Sequence, residues 1–565
     1  MPKQGKLFGS SQAGLNPPAR MTSRTLTLIL LCALAVLWFG TLSERKLVRP
    51  DEGRYAEIAR EMVVTGDWTT PRLNGYKYFE KPALQYWATA AAFELFGVRE
   101  WTARLWSALT GFLGVLLVLH FGNRAFGPPV GGLAAAVLAG SMLWAVIGHI
   151  NTLDMGVSFF MSLAVLGFVL AQLDDASARA RWRWMHAAWA AAALAILSKG
   201  LIGIVLPGGA FLIYVVVQRD WKLLARLHLG TGLLLFAAIA APWFVAVSLA
   251  NDEFFRFFFI QEHFERFLTK GHGRYQPAWY FIPILAIGFS PWIVSLAPAL
   301  ARAWRDAPDR SFRPARFLLI WSALVFAFFS ASGSKLPSYI LPIFPALAVL
   351  VALHAVSAHR ALLAAQGVLY AALGLAMVIF APRVLRAADT GLPAQMLSQY
   401  IPWIMAAGVG LLALSAASAY LALRRRTVAS VILLAAGGLF SSLALLLGHE
   451  TLSPAYSAYH IVEKIRPELK ADVPFYSVNT FDHTLPYYLG RTVTMVAYKD
   501  ELAQPIGWAP GNFLPDLAAF ARAWQSDRDA WAVFGAKEFP EMQKMLQIPM
   551  QVVARDPRRV VVRKP

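Results

Sequence analysis

Cysteine is almost missing from this 565-residue chain: Cys32 stands alone within an apolar run, so neither an intrachain disulfide nor a cysteine-based zinc site can form. Charge is scarce as well. Only 15% of residues are Asp, Glu, Lys or Arg, against 57% hydrophobic, and mean hydropathy is +0.50. That is too little charge to cover a soluble protein of this size, so the chain reads as a polytopic α-helical membrane protein. Acidic residues are the scarcer sign, 33 against 52 basic, which leaves a net +19. Such an excess invites a nucleic-acid partner, but in a membrane protein it can record orientation instead, because cytoplasmic loops collect Lys and Arg.

Thirteen apolar stretches have roughly spanning length: 25–43, 103–123, 130–148, 153–172, 185–198, 200–217, 229–249, 279–299, 316–331, 337–357, 361–381, 399–422 and 428–447. The first follows a basic leader and shows no small-residue cleavage site, so it reads as an uncleaved transmembrane helix with a cytoplasmic amino terminus. Threading the stretches back and forth puts Arg124, Arg179, Arg181, Arg183, Arg219, Lys222, Arg226, Arg302, Arg305, Arg310, Arg313, Arg316, Arg360 and Arg424 to Arg426 on the amino-terminal side. The opposite short loops carry lone cations such as Lys199 and Lys335. This alternation places residues 1–447 as a membrane domain and 448–565 as a small periplasmic α/β domain. The tail's β-rich runs at Val473–Val478, Thr492–Ala497, Trp531–Phe534 and Val560–Val562 alternate with helical patterns near 516–525 and 537–546.

Ionisable residues are nearly absent from the middle of the spans, which counts against an ion-coupled transporter. Polar residues gather instead at the extracytoplasmic mouths of the spans and in two loops, 44–102 and 250–278. In the first loop, Arg49 to Tyr55 read RPDEGRY. Asp51 can be a simple helix N-cap, or it can be a positioned carboxylate that Glu52, Arg54 and Tyr55 accompany at the membrane surface; the two readings are compatible. Glu80 and Lys81 precede Pro82, a favoured first-turn residue, and form either a solvated pair or, with Arg54, a device for meeting an anionic phosphate.

In the second loop an α-helix through Asn251–Lys270 would carry Arg256, His263, Arg266 and Lys270 on one face, with Glu262 and Glu265 elsewhere. Five phenylalanines between 254 and 259 suit a helix lying among lipid headgroups. The basic face suits phosphates, and snorkelling cations are the plainer alternative. Glu80 and His263 could share a divalent metal ion, although two residues do not define a site. Lys199 and Lys335, the latter close to Tyr339, are either interfacial anchors or part of the same convergence.

With these residues in place, the sequence resembles the bacterial lipid A aminoarabinose transferases of the protein O-mannosyltransferase-like GT-C superfamily. The resemblance rests on RPDEGRY at 49–55, YFEKPALQYW at 78–87, LSKGLIG at 197–203, APWF at 241–244, FFIQEH at 258–263 and SGSKLPSYILP at 332–342, in that order. It implies transfer of 4-amino-4-deoxy-L-arabinose from undecaprenyl phosphate to lipid A phosphates at the periplasmic face of the inner membrane, with resistance to polymyxin as the consequence. It also implies that the acidic position of the first periplasmic loop falls on Asp51 and the second on Asp154.

The chemistry calls for cations where polyprenyl phosphate departs, and Arg54, Lys81, Lys199, Arg266 and Lys335 are the candidates. A phosphate nucleophile is already anionic, so a strong base adds little. Asp51 is expected to orient groups or to balance oxocarbenium-like charge. The expected partners are the lipid-linked sugar, lipid A and membrane lipids, with no nucleic acid and a monomeric chain. A transferase of the same architecture with another acceptor, and a polyprenyl-lipid flippase, are the competing readings.

Overall fold

The structure is a computed structural model that describes residues 23–265, 276–305, 311–386 and 391–565. Among the described residues, eight helices are long and apolar enough to cross a membrane, and the bent pair Ala278–Gly288 with Ile293–Arg305, turned by 111°, makes a ninth if it is one span. The other expected stretches are also helical, but shorter, more polar or interrupted. Thr27–Gly40 and Ile202–Gln218 are short apolar helices, Ala178–Lys199 carries three arginines in its first turns, and 130–148 breaks at Gly140 and Ser141. Thirteen spans is therefore the count of apolar stretches and exceeds the count of helices that qualify by length and composition. The expected tight turn after Lys199 is present, and Gly200 makes it at φ +91°, in the left-handed region that favours glycine.

The helix Leu153–Gln172 is the central one, with 89% of its most apolar stretch buried, whereas Leu229–Ala250 has only 17% buried and faces outward. Asp154 thus enters at the head of the best-packed helix. The first loop is structured throughout. It folds into the helix Asp51–Thr65, a two-stranded hairpin of β1 (Arg72–Leu73) and β2 (Tyr76–Lys77), and the helix Leu84–Phe96.

The tail builds a six-stranded sheet from β3 (Phe475–Val478), β4 (Thr494–Val496), β5 (Phe513–Leu514), β6 (Trp531–Gly535), β7 (Gln551–Arg555) and β8 (Arg559–Arg563), in the order β5-β4-β3-β6-β8-β7. The β5-β4-β3-β6 half is parallel and the β6-β8-β7 half antiparallel. Alternation along β6 shows what the sheet covers. Ala532 and Phe534 pack with Phe520, Trp524 and Phe539 of the tail's own helices. Trp531 and Val533 lie in a second cluster that also holds Tyr55, Ile58, Tyr78 and Phe79 of the first loop. One face of the sheet is thus closed by its own helices, and the other shares a core with the first loop.

Candidate active site

Four consecutive residues at the start of the Asp51–Thr65 helix turn by about 100° each and meet four environments. Asp51 is the first helical residue and not the cap: Pro50 holds the cap position and no side chain caps the helix. The N-cap alternative for Asp51 falls. Its side chain is 40% exposed and accepts from Arg54 Nη1 at 3.0 Å.

Glu52 turns inward and is buried. Arg104 grips it through two hydrogen bonds of 2.7 and 2.9 Å, and the backbone amides of Val48 and Asn151 donate to it at 3.0 and 3.1 Å. Burial alone would raise this carboxyl, but Arg104, with help from Arg45, outweighs burial and holds it at about 2. The substrate-binding role expected of Glu52 is corrected on this point: its oxygens are fully engaged inside the protein. Gly53 lies against the tail, where a Cβ would come within 2.7 Å of the His483 carbonyl carbon and oxygen.

Arg54 is nearly buried, and its fork is occupied. Nε and Nη2 meet the two carboxylate oxygens of Glu501 at 3.0 and 2.7 Å, while Nη1 reaches Asp51. His483 Nε2 lies 2.8 Å from Glu501 Oε1. Burial opposes the charge on Glu501, but His483 and Arg54 hold its carboxyl below the ordinary carboxylate range. Arg54 is therefore not an open phosphate ligand, as expected from sequence, but the link between Asp51 and the tail.

On the membrane side, Asp154 and Lys199 form an ion pair. Ser338 donates to Asp154 Oδ2 at 2.8 Å and Thr152 at 3.2 Å, and the Lys199 ammonium sits 4.5 Å from the centre of the Tyr339 ring. Tyr55 is buried. Burial pushes its phenol up first, Asp51 adds to the shift and Asp154 contributes as well, so both carboxylates act on one hydroxyl. Its ring centre is 6.0 Å from that of Tyr86. The buried hydroxyls of Tyr78 and Tyr86 have no hydrogen-bond partner among the described residues; Arg54, Glu80 and Glu501 all act on both phenols.

Lys81 is 18% exposed; its ammonium donates to the Glu80 carbonyl at 2.6 Å and pairs with Glu262 at 3.3 Å. That pair corrects the expected geometry of the second loop. Residues Arg256–Glu265 form a π-helix, closed by i→i+5 bonds, so the wheel drawn for an α-helix does not apply, and Glu262 faces the first loop. Arg256 is exposed at its start. Arg266 and the side chain of His263 lie outside the described residues. Lys335 is buried, donating to the carbonyls of Gln276 and Ser332, and is not an interfacial anchor. Among the described residues no three His, Cys, Asp or Glu side chains assemble a metal site. The partner expected for Glu80 at a divalent ion, the His263 side chain, lies outside those residues.

Sequence reasoning missed Glu501, His483 and Arg104, which carry no motif. Ser338 was within reach, since it lies inside the SGSKLPSYILP segment.

Two family profiles match the chain. One, described as the aminoarabinose transferase C-terminal domain, covers residues 461–564, and the other, described as dolichyl-phosphate-mannose-protein mannosyltransferase, covers residues 24–254. An undecaprenyl phosphate-alpha-4-amino-4-deoxy-L-arabinose arabinosyl transferase of Proteus mirabilis is 35% identical over 339 residues, 59% of this chain and 60% of that protein. Its counterpart in Pseudomonas aeruginosa is 35% identical over 335 residues, 58% of this chain and 59% of its own length. The chain thus spans less than two thirds of these curated relatives in alignment. The crystal structure of ArnT from Cupriavidus metallidurans bound to undecaprenyl phosphate is similar over 96% of this chain and 98% of its own, at 39% identity and a TM-score of 0.91.

Proposed function

The chain belongs to the ArnT aminoarabinose transferase family, and from that premise we propose that it moves 4-amino-4-deoxy-L-arabinose from undecaprenyl phosphate to a phosphate group of lipid A. The observation that carries this reading is the match of 96% of the chain, membrane helices and tail together, to an ArnT solved with undecaprenyl phosphate bound. The active face is assigned to the periplasm, the host membrane to the inner membrane, and the working unit to a monomer whose residues 448–565 form a periplasmic domain.

In the reaction, a lipid A phosphate oxygen attacks the anomeric carbon. The bond from that carbon to the carrier phosphate breaks, and undecaprenyl phosphate leaves with the electron pair. No proton must be removed from an ionised phosphate nucleophile, so Asp51 serves as an exposed, fixed carboxylate that steadies oxocarbenium-like charge or orients the incoming group. Lys81 is the first cation for the leaving phosphate. In the resting structure its ammonium is paired with Glu262, and the departing phosphate would take the place of that carboxylate. The unpartnered hydroxyls of Tyr78 and Tyr86 supply neutral donors nearby. Asp154 pairs with Lys199 and holds its ammonium in place.

The test is mass spectrometry of lipid A from cells that make the aminoarabinose donor, with and without the protein. The expected result is lipid A heavier by one aminoarabinose residue only when the protein is present. An unchanged mass with the donor available overturns the assignment.

A further inference from the structure

The carboxylate that holds Arg54 comes from the tail, and its geometry gives it a task in the reaction. We propose that Glu501 is a positioning residue for Asp51: by occupying the fork of Arg54 it leaves Asp51 negatively charged, exposed and held by one hydrogen bond. The inference rests on the transferase reading above.

Asp51, Arg54 and Glu501 together carry one net negative charge, and the site needs it at the exposed end. A guanidinium facing a carboxylate through two parallel hydrogen bonds is the strongest arrangement open to it, and Glu501 has that arrangement, at 3.0 and 2.7 Å. Asp51 receives one hydrogen bond, at 3.0 Å. The two carboxylates also differ in exposure, 16% for Glu501 against 40% for Asp51, so solvent and substrate meet Asp51. Without Glu501, the buried Arg54 has one carboxylate left within reach, three residues away on its own helix. It would close on Asp51 with both prongs, turning that carboxylate and cancelling its charge.

The tail is fixed tightly enough for this task. Gly53 admits the His483 backbone to a distance that no side chain would allow. Asn74 clamps Val493 from both sides, donating to its carbonyl at 2.9 Å and accepting from its amide at 2.8 Å. Arg60 donates to the Gly490 carbonyl at 3.0 Å. His483 Nε2, 2.8 Å from the Glu501 Oε1 that Arg54 Nε also meets, restrains the same carboxylate. Residues 461–564 thus complete the transferase site from outside the membrane domain.

The experiment measures steady-state aminoarabinose transfer by the purified full chain, with undecaprenyl-phosphate-linked aminoarabinose as donor and lipid A as acceptor, for the wild type, Glu501→Gln, Arg54→Gln and the double variant. Glu501→Gln keeps the shape and removes the charge. Its expected kcat is about tenfold lower, with the donor KM within about twofold and the thermal midpoint kept; a group that acts only in the transition state moves kcat and not KM. Adding Glu501→Gln to Arg54→Gln is expected to cost nothing further, because Glu501 acts through Arg54. A wild-type kcat for Glu501→Gln overturns the inference, as does a change confined to KM or a fully additive double variant. Should Glu501→Gln fail to fold, Arg54→Lys carries the test, since it keeps the charge and removes the fork, and an unchanged kcat overturns the inference. Absence of transfer by the wild type is a different failure: it overturns the transferase reading and this inference with it.

Discussion

Asp51 and Glu52 are chemically alike and adjacent, yet one is the exposed acid of the site and the other a buried staple, and replacements should separate them cleanly. Asp51→Asn keeps size and removes charge at a position with no structural partner other than Arg54. Its expected effect is a fall in kcat of a hundredfold or more, on the order of what loss of one electrostatic contact at a transition state costs, with normal yield and thermal midpoint. Full activity in the same transfer assay would remove Asp51 from the mechanism. Glu52→Ala should do the reverse and fail in folding: it strands the fully buried Arg104 guanidinium, and breaking one side of a buried ion pair costs about 3–5 kcal/mol. Size-exclusion profiles and thermal midpoints in detergent check it. From sequence the two carboxylates were indistinguishable as neighbours in one motif. Arg104, which decides between them, sits 52 positions away on a transmembrane helix, and nothing in its local pattern advertises the pairing.

At the scale of the element, the Asp51–Thr65 helix serves on every side, and its far half holds an acid pair that makes its docking sensitive to pH. Burial, reinforced by the charge of neighbouring Glu57, pushes the Glu61 carboxyl up to about 8, and burial raises Glu57 too. Glu61 accepts the amides of Asn74 and Gly75 at 2.5 and 2.9 Å, while Arg60 binds Glu57 through two hydrogen bonds of 2.6 Å. An acid whose folded value lies above its unfolded value binds more protons when folded, so stability falls as pH rises between the two. The window runs from the ordinary carboxylate value of about 4.3 up to about 8. The expected outcome is a thermal midpoint that declines from pH 5 to pH 8.5 in the wild type and a flatter profile in Glu61→Gln. A midpoint that rises over that range would contradict the assignment. Gly53→Ala tests the opposite face of the helix: the added methyl meets His483 backbone and cannot be relieved by a rotamer, so protease sensitivity of the tail should rise and transfer should fall. Sequence reading placed a helix start at Asp51 and Glu52, because an acidic first turn is a local signal, but it put Asp51 one position early, at the cap. It could not find the docking face, since a helix buried on the tail and a helix lying at a headgroup layer show the same amphipathic pattern. The π-helix was hidden for a related reason: a wheel presupposes the repeat that it is used to detect.

At the scale of the whole molecule, the net charge of +19 stops looking like a ligand-binding feature and becomes an orientation signal. On the threading that alternates the loops, the cytoplasmic segments hold 20 Lys or Arg against 5 Asp or Glu, and residues 448–565 hold 14 against 13. Loop charge biases insertion one helix at a time, which is why a sequence gives an expected sidedness while leaving the number of qualifying helices open. What it could not reveal was that the tail and the first loop share a core, because the contacts run between segments more than 400 positions apart. These include the Leu47 amide on the Tyr488 hydroxyl at 2.8 Å and Asn74 on Val493. Both segments must therefore lie on one side of the membrane, and this makes sidedness testable with few reagents. Cys32 is the only thiol, so Cys32→Ser gives a background without cysteine. Lys537 in the tail and Arg424 in the last short loop are both exposed. In that background Lys537→Cys should react with a membrane-impermeant maleimide on intact spheroplasts, and Arg424→Cys should react only after permeabilisation. The reverse pattern would turn the molecule over, put Asp51 and Glu501 in the cytoplasm, and sever the site from a lipid A acceptor on the periplasmic face.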